Sequence, residues 1–122
     1  MSEGKDKAKG QGESELEDLS SLSSSGPLTS SARVAILAAL LAFKRTTFTE
    51  LMLAVNLPKS SLNLSLSILK QSKFLTVRKG FIQIGGPRTI VEITPEGEKA
   101  IKEHLFLMQN LAKKLLPDKE SE

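Results

Sequence analysis

The sequence predicts a mainly α fold carrying one small β-hairpin, in the α+β class. Apolar residues recur at spacings of three and four in separate segments between Ser31 and Leu115, the pattern of amphipathic helices. Two short alternating runs, "FIQI" and "RTIVEI", flank Gly85, Gly86 and Pro87, as two strands flank a turn. A helix start, "TPEGEKA", follows the second run at once. With 122 residues the chain has room for one domain and little more.

The elements follow in order. Residues 1–28 are rich in Gly, Ser, Lys and Glu. Too few apolar groups are present to offset the entropy of ordering, so this segment reads as a disordered polar tail. Only a weak amphipathic turn around Leu16, Leu19 and Leu22 interrupts it. "SSARVAILAALLAFK" then reads as a helix over about 31–44, capped by Ser30 or Ser31 and apolar on most sides, hence central to the core. Thr47 and Glu50 form a capping box for a short helix over 48–55. Asn56 suits the left-handed residue that ends it, and Leu57-Pro58 makes the turn. A third helix, with Ser60 or Ser61 as cap, runs to about Ser72. "FLTVRKG" and "FIQI", then "RTIVEI", alternate as a hairpin. Thr94, Pro95 and Glu96 supply cap, first-turn proline and acid for a last helix over 95–115, ending before Pro117.

Composition narrows the function. There is no cysteine and one histidine, which excludes disulfides and thiolate metal sites within the chain. No apolar run nears the roughly 18 residues of a membrane span, and residues 1–18 lack a signal-peptide core. The expected location is the cytoplasm, at the nucleoid. Neither a phosphate-binding Gly-rich loop nor a histidine beside a candidate nucleophile is present, so no enzyme and no cofactor are expected. The net charge of +3 is unevenly spread: residues 31–93 carry +7, against −3 before and −1 after. Such a basic segment is the footprint of a polyanion binder.

The third helix sharpens this reading. Leu62, Leu66 and Leu69 give it a core face, and its other side shows Ser60, Ser61, Asn63, Leu64, Ser67 and Gln71, with Lys59 and Lys70 near the ends. From Asn56 to Phe74 there is no acid. Solvated helix faces are usually rich in Glu and Lys, whereas small uncharged side chains suit close approach to phosphates and base edges. Three helices with a tight "VNLP" turn before the last form a helix-turn-helix, whose final helix, about 59–72, enters the major groove. The hairpin, about 79–93, then reads as a wing. Arg88 at its tip, with Arg78 and Lys79 at its base, meets the minor groove or the backbone.

On "ARVAILAALL", "FTELMLAVNLPKSSLNLSLSILKQSKFLTVRKGF" and "GPRTIVEITPEGEKAI", residues 31–100 resemble small archaeal and bacterial winged helix-turn-helix regulators of the MarR/ArsR-like superfamily. The hairpin running into "ITPEGEKA" is the most specific part. The resemblance implies DNA reading by Ser60, Ser61, Asn63, Leu64 and Ser67, with Arg88 in the wing. Relatives often carry histidine where Ser65 stands, so base preference does not transfer. Metal-sensing relatives need cysteine or histidine clusters that this chain lacks; no metal site is expected.

In the last helix Ile101, Leu105, Met108, Leu111, Ala112 and Leu115 continue an apolar stripe beyond what a small domain covers. Self-association through this helix is the expected outcome, as it is for the regulators the chain resembles; the alternative is that the helix folds back on the chain's own core. His104, beside the stripe, is read as an exposed or interface side chain without a role. The expected organisation is a tail over 1–28, a winged helix-turn-helix DNA-binding domain over 29–94, a dimerisation helix over 95–116 and a second tail over 117–122. The expected function is a homodimeric, sequence-preferring, double-stranded-DNA-binding transcription regulator with an unknown small-molecule effector, if any. An architectural DNA-binding protein and a winged-helix protein-interaction module are the alternatives.

Overall fold

The structure, a computed structural model, describes residues 11–24, 26–82 and 86–116. Five α-helices are found among them: α1 (Gln11–Ser23), α2 (Ser31–Phe43), α3 (Phe48–Val55), α4 (Lys59–Gln71) and α5 (Pro95–Leu115). Three strands, β1 (Arg45–Thr47), β2 (Leu75–Ile82) and β3 (Gly86–Ile93), form an antiparallel sheet in the order β1-β3-β2. This is a winged helix. The expected segments at 1–10 and 117–122, and Gly85 of the turn, lie outside the described residues. No helix among those described is long and apolar enough to cross a membrane.

Local chemistry sets the helix ends. The Ser30 hydroxyl accepts from the Arg33 amide at 3.4 Å to start α2. Thr47 and Glu50 complete the capping box of α3, and Asn56 ends it in the left-handed region at φ 54°. The Thr94 hydroxyl accepts from the Gly97 amide at 3.0 Å, with Pro95 opening α5. Leucine and isoleucine then fill the interior. Ile36, Leu37 and Leu40 of α2, Leu51 of α3, Leu62 and Leu69 of α4, Leu75, Val91 and Ile101 have essentially no exposed surface. Burying each such side chain contributes roughly 1.5–3 kcal/mol.

Gly97 joins the two halves of the chain. The Thr94 amide donates to the Phe74 carbonyl at 3.0 Å, and the Thr94 hydroxyl donates to the Lys73 carbonyl at 2.7 Å. A Cβ at Gly97 would overlap the Phe74 carbonyl oxygen. The glycine therefore lets the first turn of α5 rest directly on the backbone that leaves α4.

Four expectations need correction. Helix α4 begins at Lys59 with Pro58 as N-cap and no side-chain cap bond, so Ser60 and Ser61 lie inside its first turn and do not cap it. The hairpin belongs to a three-stranded sheet: Arg45, Thr46 and Thr47 pair with Glu92, Val91 and Ile90. Residues 11–23, expected within a disordered tail, form α1. That helix packs along α5, where Asp18 accepts from Lys114 Nζ at 3.0 Å and Asn110 Nδ2 at 3.5 Å. Composition argues against an isolated helix there; the tertiary contact supplies what local propensity lacks. Finally, His104 is 5% exposed and its Nδ1 has no hydrogen-bond partner among the described residues.

Candidate nucleic-acid interface

Helix α4 buries Leu62, Ser65, Leu66 and Leu69 on one side. The 3.6-residue period turns Ser60, Leu64, Ser67 and Gln71 most directly away from that side, and all four are exposed. Leu64 is 65% exposed, an apolar contact point on an otherwise polar face. Lys59, Asn63 and Lys70 occupy the flank facing the hairpin. Ser61 is exposed on the other flank. Gln71, omitted from the expected DNA-reading set, shares the outward face, and helical period alone could have added it.

In the hairpin, cross-strand partners share a face. Leu75, Val77, Lys79 and Phe81 lie opposite Ile93, Val91, Thr89 and Pro87, while Thr76, Arg78 and Gly80 lie opposite Glu92, Ile90 and Arg88. The first set is on the α4 side: Val77, Lys79 and Thr89, together with Phe48, Lys59, Asn63, Leu66, Ser67 and Lys70, line an open groove of about 400 Å³. Lys79 Nζ donates to the Thr89 hydroxyl at 3.1 Å across the strands, which holds one cation at the groove wall.

Three lysines, an asparagine and a serine thus share one concavity, and no acid lines it. The nearby acids are engaged elsewhere. The Glu50 carboxyl is held below its ordinary value by the hydrogen bond from the Thr46 hydroxyl and then by those from Thr47, at the start of α3. Glu92 lies 4.0 Å from Arg78 on the far face of the sheet. The groove can accept a run of phosphates from an adjacent backbone.

The structure therefore divides the expected DNA-binding residues. Lys59, Asn63, Ser67, Lys70 and Lys79 converge on the groove, and Ser60 and Leu64 lie on the adjoining outward face. Arg78 does not join them: it projects from the opposite face of the hairpin beside Glu92. Its odd-even position relative to Val77 and Lys79 carries that information in the sequence. Arg88 shares the Arg78 face by register but sits near the tip, where its Nη1 donates to the Pro87 carbonyl at 3.2 Å. Gly86 takes φ 76° there, in the region that favours glycine.

The expected dimer residues divide as well. Ile101 is fully covered and Leu111 nearly so within the chain, so neither is available to a partner. Leu105, Met108, Ala112 and Leu115 are exposed at spacings of three, four and three, a continuous stripe. Leu16 and Leu19 of α1, which packs on α5, are also exposed. Among the described residues no group of three or more His, Cys, Asp or Glu is placed to hold a metal ion.

A family model described as a winged helix DNA-binding domain matches residues 32–112. Among solved structures, a transcriptional regulator homologue from Pyrococcus horikoshii is similar at 24% identity and TM-score 0.75, covering 83% of this chain and 99% of that one. A MarR-family regulator from Silicibacter pomeroyi matches at 18% identity and TM-score 0.61, covering 88% and 70%. The Mycobacterium tuberculosis regulator MOSR, solved in complex with DNA, matches at 18% identity and TM-score 0.56, covering 69% and 59%. No curated protein sequence matches.

Proposed function

The chain belongs to the winged helix DNA-binding domain family, and from that premise we propose that it is a homodimeric, sequence-preferring, double-stranded-DNA-binding transcription regulator. The observation that carries the reading is the acid-free groove between α4 and the hairpin, with Lys59, Lys70 and Lys79 around Asn63 and Ser67. Helix α4 enters the major groove and presents Ser60, Asn63, Leu64, Ser67 and Gln71 to base edges and thymine methyls. The three lysines contact phosphates, and the wing follows the backbone to the neighbouring minor groove, where Arg88 binds.

The dimer forms through the α5 stripe of Leu105, Met108, Ala112 and Leu115, extended by Leu16 and Leu19 of α1. An exposed apolar row of this length is unusual on a monomer. A twofold dimer presents two copies of α4 to half-sites about one helical turn apart. That the similar structures are of transcriptional regulators, one of them bound to DNA, supports the regulatory role.

A fluorescence anisotropy titration against random-sequence duplex, repeated at several salt concentrations, tests the groove. Wild type should lose affinity with salt along a log–log slope reporting several released counterions. Replacing Lys59, Lys70 and Lys79 together by Ala should reduce that slope by about three. Absence of binding at low salt would turn the groove into a docking face for an acidic protein.

A further inference from the structure

The wing carries one feature that phosphate contacts do not use. Phe81 is 84% exposed, the most exposed large apolar side chain among the described residues. It lies in register opposite Pro87, which is also exposed, and both belong to the hairpin face that carries Val77 and Lys79 toward the groove. The next pair along, Gly80 and Arg88, belongs to the other face. At these two described pairs the wing is therefore two-sided, with a ring and a proline on the α4 side and a guanidinium-bearing residue behind them.

On a solvent-facing wing the ring gains only the cross-strand packing against Pro87 that the register allows. A ring on the hairpin face that carries Lys79 into a phosphate-binding groove has a natural destination, the minor groove of the duplex that the groove holds. Its sugar walls and base-step edges are apolar, and Phe is among the side chains that unstack a step there and bend the duplex. Lys79, two residues along the same face and lining the lysine groove, and Arg88 on the other face at the neighbouring pair select duplex DNA over an apolar protein as occupant.

We propose that Phe81, backed by Pro87, is a minor-groove wedge that opens a flexible pyrimidine–purine step and makes the protein prefer deformable DNA beside its site. The inference rests on the DNA-binding reading above and adds a specificity determinant that touches no base-pairing edge in the major groove. Pyrimidine–purine steps are the cheapest to kink and A-tracts among the stiffest, so the preference should follow the flanking step. Lys59, Lys70 and Lys79 would continue to set the salt dependence.

The test compares the full chain with Phe81→Ala and Phe81→Leu on two end-labelled 30-base-pair duplexes. One has TA steps and the other an A-tract where the wing lands, and energy transfer between the ends is read alongside binding at low salt. Wild type should favour the TA duplex by about tenfold and shorten its end-to-end distance. Phe81→Ala should bind both duplexes alike, without shortening and with an unchanged salt slope, while Phe81→Leu keeps part of the bend. Equal binding without bending by wild type, or bending by Phe81→Ala as strong as wild type's, would overturn the wedge. So would a Phe81→Ala protein that bends DNA normally but no longer dimerises, which would assign the tip to a second copy. Failure of wild type to bind either duplex would remove the DNA-binding reading itself, and the wedge with it.

Discussion

Helices α4 and α5 each bury an apolar stripe in the chain's own interior, through Leu62, Leu66 and Leu69 in one and Ile101 and Leu111 in the other. They differ in what remains outside. Helix α4 leaves Ser60, Asn63, Leu64, Ser67 and Gln71 uncovered, with lysines and no acid. Helix α5 leaves Leu105, Met108, Ala112 and Leu115, with Lys102, Glu103 and Lys113 beside them. Burial periodicity fixes where a helix sits, and its uncovered face decides what it meets. Small polar groups with cations suit a phosphate-lined groove; a leucine and methionine row suits a second copy.

The strongest way to break the comparison is to charge the α5 stripe. Leu105→Glu with Met108→Glu should turn the dimer into a monomer in sedimentation and weaken binding to a two-half-site duplex by roughly 100-fold or more, leaving single-half-site binding nearly intact. A wild-type protein that sediments as a monomer would end the claim for α5. Next in size is the joint between the two helices. Gly97→Ala must push its Cβ away from the Phe74 carbonyl and should cost about 2–3 kcal/mol in denaturant unfolding, with DNA binding preserved in the fraction that folds.

A smaller effect sharpens the α4 side. Lys70→Ala should lower the salt slope by about one, whereas Arg78→Ala, on the far face beside Glu92, should leave it unchanged. Equal losses from the two would mean that the duplex wraps both faces of the hairpin. The smallest effect concerns pH. The hydrogen bond from Lys44 holds the Glu98 carboxyl below its ordinary value of 4.5, as the Thr46 hydroxyl does for Glu50. Carboxylates with lowered folded-state values stabilise the fold above the unfolded value and lose that contribution as pH falls through the folded one. Stability should therefore be flat down to about pH 5 and decline below 4.5. Because both groups are exposed, Glu98→Gln and Glu50→Gln should flatten that limb only slightly in pH-dependent unfolding.

What the sequence discloses follows from how local each device is. The caps at Ser30, Thr47, Asn56 and Thr94 are written within four residues of the ends they set, and all four are legible. Strand β1 is not, since "RTT" is too short to alternate and owes its form to Glu92, Val91 and Ile90 far along the chain. Helix α1 shows locally only as the weak amphipathic turn around Leu16, Leu19 and Leu22, for the same reason: its ion pair reaches from Asp18 to Lys114. In the candidate site, helical period correctly turns Ser60, Asn63 and Ser67 outward. A stripe, by contrast, does not reveal which neighbour covers it, so Ile101 and Leu111 look like partner contacts until the fold buries them. Strand parity, available from the start, separates Arg78 from Lys79 and places Phe81 on the Lys79 face.

Whether α4 reads base sequence is decided by enrichment of bound duplexes from a randomised library. The wild-type protein should enrich a two-half-site motif, bound about 10³-fold more tightly than random duplex. The Asn63→Ala, Ser67→Ala double variant should lose the motif while keeping random-duplex binding. A library that emerges without a motif, with a ratio near one, would contradict sequence preference and leave an architectural DNA-binding protein in its place.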